Sequence, residues 1–272
     1  MSNLLIHSMA EFSDLILDCL DLAEASRIVE IGAEHGGMSH FLAAFALAHG
    51  GRLTSIDPAP KADFLAWANG QSHVDHIAAT SLDALPTLAN VEAWVIDGDH
   101  NYYTVYHELK AIEALCGRDR RPLLAFIHDV SFPAGRRDMY YAPDQIPTDW
   151  RHAFDYEGGV CLDHDALMPK RGFRGAGSFA FATHSGGPRN GVLTAVEDVT
   201  AEASARGRNL AWAHIPAVFG LGILFDADAP WAAEVAARLA PFHDNLLLAT
   251  LEENRLRNYL KVIDDQDNRA AA

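Results

Sequence analysis

The sequence predicts an α/β fold: a largely parallel sheet with helices on both faces, ending in an antiparallel hairpin. Five short runs rich in Val, Ile and Leu alternate with helix-like segments, which is the pattern of βαβ units. The last two apolar runs are separated by only Ala217 and Val218, a link that allows nothing but an antiparallel pair. With 49% hydrophobic and 21% charged residues, the chain of 272 residues can bury a core. No Pro/Ser-rich linker divides it, so a single domain over residues 1–272 is expected.

The strand candidates are RIVEIG (27–32), RLTSIDP (52–58), HVDHIAAT (73–80), EAWVIDGD (92–99) and PLLAFIHDV (122–130), each stopped by Gly, Asp or Pro or a polar turn. Residues 131–189 interrupt the alternation with aromatics, prolines and glycines, and a loop-rich insertion of that length points to a functional lid. A helix is predicted over NGVLTAVEDVTAEASARG (190–207), followed by strands NLAWAHIP (209–216) and FGLGILFD (219–226). Residues 230–266 read as a C-terminal helical segment. Its leucines at 246, 247, 248, 251, 256 and 260 are expected to pack into the core, with a homo-oligomer contact as the alternative.

A net charge of -16 without a Lys/Arg cluster excludes a phosphate-tracking surface, so no nucleic-acid partner is expected. Cys19, Cys116 and Cys161 lack CxxC spacing and are read as reduced thiols, which favours the cytoplasm. The N-terminal MSNLLIHSMAEF has no basic start followed by an apolar run, and no stretch approaches the ~20 apolar residues of a membrane span.

Chemistry gathers at strand ends. VEIGAEHGGMS (29–39) follows a strand and opens a helix, so Gly32 and Gly36 let backbone N–H groups approach a ligand. Its Glu30-x-Gly32-x-x-x-Gly36 spacing is not GxGxxG, which argues against a nicotinamide dehydrogenase. Asp57 ends the next strand, where a carboxylate suits a ribose diol, although a turn residue before Pro58 is the plain alternative. WVIDGDHNYY (94–103) places Asp97, Asp99 and His100 where another strand stops, and the following strand stops at His128 and Asp129. Adjacent strands lie ~4.8 Å apart, so Asp97 and Asp129 are placed to share a divalent cation. Asp99 or Asn101 would cap the helix beginning near Tyr102, with Asp99 preferred.

Five alternating strands, a helix and a terminal hairpin, together with the Glu30 to Gly36 turn, resemble the class I S-adenosylmethionine-dependent methyltransferases, with their Rossmann-like seven-stranded sheet. The resemblance covers roughly 26–130 and 190–226. It implies that Glu30 meets the methionine portion of the cofactor, Asp57 its ribose, and Ser81 and Leu82 its adenine. Met38 stands where relatives often carry Ser or Thr, and Ser39 follows it.

IDGDH, followed about thirty residues later by HD, is similar to the metal-dependent O-methyltransferases, including sugar-modifying enzymes of natural-product pathways. That resemblance implies Asp97, His128 and Asp129 as ligands of Mg²⁺ or Mn²⁺, with Asp97 also at the cofactor. It implies His100 as general base and a small-molecule hydroxyl, of a sugar or glycoside, as acceptor. His128 stands where relatives commonly have a carboxylate, and imidazole suits transition metals better than Mg²⁺. His128, His152, His164 and His184 are the next candidates for the base, and Arg136, Arg137, Tyr140 and Tyr141 are candidate acceptor contacts. Two other readings stand beside this one: a metal-dependent phosphohydrolase, and a noncatalytic carbohydrate- or partner-binding protein on the same fold.

Overall fold

Each central strand divides its side chains between two cores, as the period of two in an extended chain requires. In β1 (Arg27–Ile31), Ile28 joins one core while Val29 and Ile31 join the other. The computed structural model describes residues 9–270. The expectation drawn from the N-terminus falls partly on residues 1–8, outside the described residues.

Before β1 runs α1 (Ser13–Leu22), and after it come α2 (Ser39–Ala48), β2 (Arg52–Ile56), α3 (Ala62–Ala68) and β3 (Val74–Ile77). The chain continues through α4 (Ser81–Ala84), β4 (Ala93–Ile96), α5 (Tyr102–Asp119) and β5 (Leu124–His128). Five short strands follow: β6 (Met139–Tyr140), β7 (Phe154–Asp155), β8 (Gly158–Cys161), β9 (His164–Pro169) and β10 (Ala180–Ala182). Then come α6 (Val192–Ala205), β11 (Leu210–Ile215), β12 (Leu221–Asp226), α7 (Ala232–Leu239) and α8 (Leu246–Ala270).

The main sheet has seven strands in the order β11-β12-β5-β4-β1-β2-β3, with β12 antiparallel to both neighbours and the other pairings parallel. Helices α1, α2, α3 and α7 pack on one face, and α5 and α6 on the other. Strands lie on both sides of β1, so the order reverses there and a crevice opens beyond the carboxyl ends. The expected strands are present but shorter, because their terminal residues turn out of the sheet.

Residues 131–189 are more ordered than a loop-rich insertion. They form a three-stranded sheet, β6-β10-β7, and a β8–β9 hairpin. The leucines of α8 divide: Leu256 is buried and Leu248 packs against the core, whereas Leu246, Leu247 and Leu251 are exposed. Their expected core role is corrected for these three, which lie on the first turns of α8 and face away from the sheet. Among the described residues no helix is long and apolar enough to cross a membrane.

Asp138 ties the small sheets to the main one. Its Oδ1 accepts from the Tyr102 and Gly191 N–H groups, both at 2.7 Å, at the starts of α5 and α6. Its Oδ2 accepts from the Tyr140 hydroxyl at 2.7 Å. A helix start carries unpaired N–H groups and a positive dipole end, so one buried carboxylate serves two helices. Asp138→Ala should therefore lose about 2–4 kcal/mol in urea unfolding, because two buried N–H groups lose their acceptor. Asp138→Asn, which retains an acceptor oxygen, should lose less.

Glu108 is fully buried on α5, with the Ser81 hydroxyl beside its carboxyl group. Burial raises its pKa to about 8, against the pull of the Ser81 hydroxyl and with help from Asp99. The folded state thus holds this proton more tightly than the unfolded chain does. The associated stability is complete below the unfolded value of 4.5 and is lost as pH rises toward 8. Glu108→Gln should flatten the decline of Tm between pH 5 and 8 and raise Tm at pH 8 by several degrees. Parallel melting curves for the two proteins over that range would contradict this.

Candidate functional site

The carboxyl ends of β1, β2, β4 and β5 bring the acids singled out in the sequence to one edge. After β1 the chain turns at Gly32 (φ +89°), whose N–H donates to Ile56 O at 2.9 Å. A Cβ at Gly32 would lie 2.2 Å from Asp97 O, so only glycine lets the β1 turn pass the end of β4. Gly36 has φ +81°. Asp57 shapes the same turn: Oδ2 accepts from the Ala33 and Glu34 N–H groups at 3.0 and 2.9 Å, and Oδ1 from Ala59 at 2.8 Å.

Glu30 lies inside the seam between β1, β2 and α2. Its Oε2 accepts from the Ser39 hydroxyl at 2.6 Å and the Ser55 hydroxyl at 2.7 Å. Burial raises its pKa to about 7; the two hydroxyls oppose the rise and Asp97 and Asp57 add to it. The sequence reading missed Ser55 and gave Ser39 no role. The pairing of Glu30 with Ser55 appears only once β1 and β2 are in register.

Beyond β4 and β5, Asp97, His100 and Asp129 each offer a ligand atom within 4.8 Å of the others. His100 Nδ1 is 3.4 Å from Asp129 Oδ2. Asp129 has φ +59°, a left-handed turn that carries the chain off the sheet directly after β5. His128 is placed differently. Its Nδ1 donates to Asp97 Oδ1 at 3.0 Å and its Nε2 to Val218 O at 2.9 Å. Both partners are acceptors, so both ring nitrogens carry protons and neither lone pair is available to a metal. Burial opposes that charge, but Asp97 and Asp129 outweigh it and hold the imidazole pKa well above its ordinary value.

The preferred cap is corrected. Asn101 is the N-cap of α5, with extended backbone and a side chain that accepts from Thr104 N at 2.9 Å. Asp99 stands two residues earlier and caps no helical N–H, accepting from Asn101 Nδ2 at 2.5 Å and Thr104 Oγ1 at 3.1 Å, with the Tyr141 backbone N–H also directed to its carboxylate. Among the described residues its buried Oδ1 has no hydrogen-bond partner, and burial raises its pKa.

Ser81 is buried at the start of α4, facing Glu108, and Leu82 is half-buried beside it. Of the four insertion candidates, only Tyr141 stands at the site: it is 51% exposed, with its ring 6.0 Å from that of His100. Arg136 pairs with Glu197 on α6, Arg137 is buried against the carbonyls of Ala182 and Asp165, and Tyr140 is spent on Asp138. His164 and His184 are exposed, and His152 bonds to Arg189 O at 2.8 Å. Next to the site, Ser131 Oγ, His214 and Asp244 form a hydrogen-bonded chain with 2.8 Å links. The Asp244 side chain is 66% exposed, unlike the buried acid of a hydrolytic relay, and the chain ties β11 to the loop after β5.

Two solved structures are similar to the chain. One is the O-methyltransferase from Bacillus cereus in complex with SAH (14% identity, covering 80% of this chain and 81% of that one, TM-score 0.48). The other is the O-methyltransferase TomG from Streptomyces achromogenes, involved in tomaymycin synthesis, in complex with SAM (19% identity, 81% and 82%, TM-score 0.47). No curated protein matches the chain at a significant level. The model of a family described as a methyltransferase domain matches residues 29–120, from β1 through α5, and so takes in the glycine turn, Asp57 and Asp97. That match is seated on a Rossmann-like seven-stranded sheet, and residues 29–120 are therefore similar to a methyltransferase domain.

Proposed function

We propose that the enzyme methylates a hydroxyl oxygen of a small molecule, a sugar or glycoside, using a divalent cation held by Asp97 and Asp129 and His100 as general base. The observation that supports this best is the gathering of Asp97, His100 and Asp129 within 4.8 Å beside the glycine turn. Two carboxylates are hard oxygen donors that suit Mg²⁺ or Mn²⁺. When bound, the cation lowers the pKa of the acceptor hydroxyl, and S-adenosylmethionine supplies the methyl group.

The chain's own residues would do the rest. The turn between Gly32 and Gly36 accommodates the cofactor backbone, with Glu30 toward its methionine portion, Asp57 at its ribose, and Ser81 and Leu82 at its adenine. Asp97 stands between cofactor and cation. His128, with both nitrogens spent as donors, is assigned to holding Asp97 rather than to ligation. Asp129 orients His100 through Nδ1, which leaves Nε2 to take the acceptor proton as the methyl arrives. Residues 131–189 serve as the lid in a single domain, with Tyr141 over His100 as the aromatic wall against which a sugar face packs.

A screen of glycosides with labelled S-adenosylmethionine tests the acceptor class; transfer to amines or thiols alone would refute it. With an acceptor in hand, His100→Ala should lower turnover roughly 10²–10⁴-fold while Mn²⁺ binding stays near wild type. Asp97→Asn should weaken Mn²⁺ binding by about tenfold or more. If His100→Ala instead abolishes Mn²⁺ binding, His100 is a ligand and the base lies elsewhere.

A further inference from the structure

The turn between β11 and β12 is unusual. Val218, Phe219 and Gly220 have φ of +43°, +65° and +90°, three left-handed residues in succession. A β-branched residue at positive φ is strained, and such strain persists only where the surroundings impose it. All three carbonyls of this turn are used by the last residue of β5 and the segment that follows it. Val218 O accepts from His128 Nε2 at 2.9 Å, Phe219 O from Ser131 N at 2.8 Å, and Gly220 O from Val130 N at 3.4 Å.

The turn is gripped from the other side by α8. Glu252 is 9% exposed, and its Oε1 accepts from Phe219 N at 3.0 Å, with the Val218 N–H also directed to the carboxylate. Arg255 closes a two-armed pair on Glu252, at 2.7 Å through both Nε and Nη2, and lies 5.0 Å from the centre of the Phe219 ring. The links are continuous: Glu252 holds the N–H groups of the strained turn, the turn aims Val218 O at His128, and His128 holds Asp97 Oδ1.

We infer that Glu252 on the C-terminal helix is a positioning residue for the cation site, acting through the Val218–Phe219 turn and His128 on Asp97. The inference rests on the cation reading above. A carboxylate that must meet a cation at fixed geometry depends on whatever orients it, and loss of an orienting partner commonly costs 10- to 100-fold in metal affinity.

The test is Mn²⁺ binding to the full-length protein, followed by electron paramagnetic resonance without acceptor, in wild type, Asp97→Asn, Glu252→Ala, Glu252→Gln and Glu252→Ala/Val218→Gly. Glu252→Ala should weaken Mn²⁺ by about tenfold. Glu252→Gln, which retains an acceptor for Phe219 N, should stay within about threefold of wild type. Glycine adopts the left-handed φ of residue 218 without strain, so the double variant should recover most of the affinity. It also keeps the test open if Glu252→Ala alone does not fold. A purely structural role would lower Tm without this rescue.

If Asp97→Asn loses Mn²⁺ while the Glu252 variants bind like wild type, the inference is overturned and the cation reading stands. If Asp97→Asn binds Mn²⁺ normally, the cation reading fails. The relay then stands or falls on the ring N–H signals of His128 in ¹⁵N-histidine-labelled protein without metal: Glu252→Ala should shift the Nε2–H signal, and an unmoved signal overturns it.

Discussion

One buried carboxylate, that of Asp138, joins the two helix starts that frame the site. Because Oδ1 receives N–H groups from both Tyr102 and Gly191, α5 and α6 are fixed to a common point. The residue after it bonds back to the same place, with Met139 N donating to His100 O at 3.0 Å. The loop carrying Asp97, Asp99 and His100 is thus held at one end by β4 and at the other by the small sheets. The side chains at the strand ends are placed by the sheet, and the height of His100 above them by Asp138.

Electrostatics at this edge are one-sided. Glu30, Asp57, Asp97, Asp99 and Asp129 converge there, and the elevated pKa of Glu30 already records the presence of Asp97 and Asp57. The nearest permanent compensation is the His128 imidazolium, set between Asp97 and Asp129 at 3.0 and 3.4 Å. Such an edge draws cations toward it and disfavours anionic ligands.

The parallel core was legible in the sequence because doubly buried strands are continuous apolar runs that stop abruptly at a polar residue. Asp57, Asp97 and Asp129 announce themselves in that way. What could not be read was pairing at long range. Asp138 meets N–H groups 36 and 53 residues away, and His128 meets a carbonyl 90 residues away. Nothing local in RRDMYY distinguishes Asp138 from a solvated turn residue. Nor does any motif separate a ligating histidine from one whose two nitrogens are already donating. The mistaken preference for Asp99 over Asn101 has a smaller cause: both residue types cap helices, and only the backbone angles show which one stands at the boundary.

The two ends of α8 are attached by different physics. Near its start, Glu252 is buried against the 218–219 turn. Arg257–Asp163 joins its middle to the β8–β9 turn, and toward its end Arg171–Asp264 and Arg174–Asp267 join it to the chain just beyond β9, through ion pairs that are exposed or half-buried. Attraction between exposed charges fades within a Debye length of about 8 Å at physiological ionic strength, whereas a buried hydrogen bond is nearly indifferent to salt. Added salt therefore loosens the far end of α8 and the hairpin it touches, and leaves the end that reaches toward Asp97 in place. The helix is a lever with a fixed fulcrum and an adjustable tip.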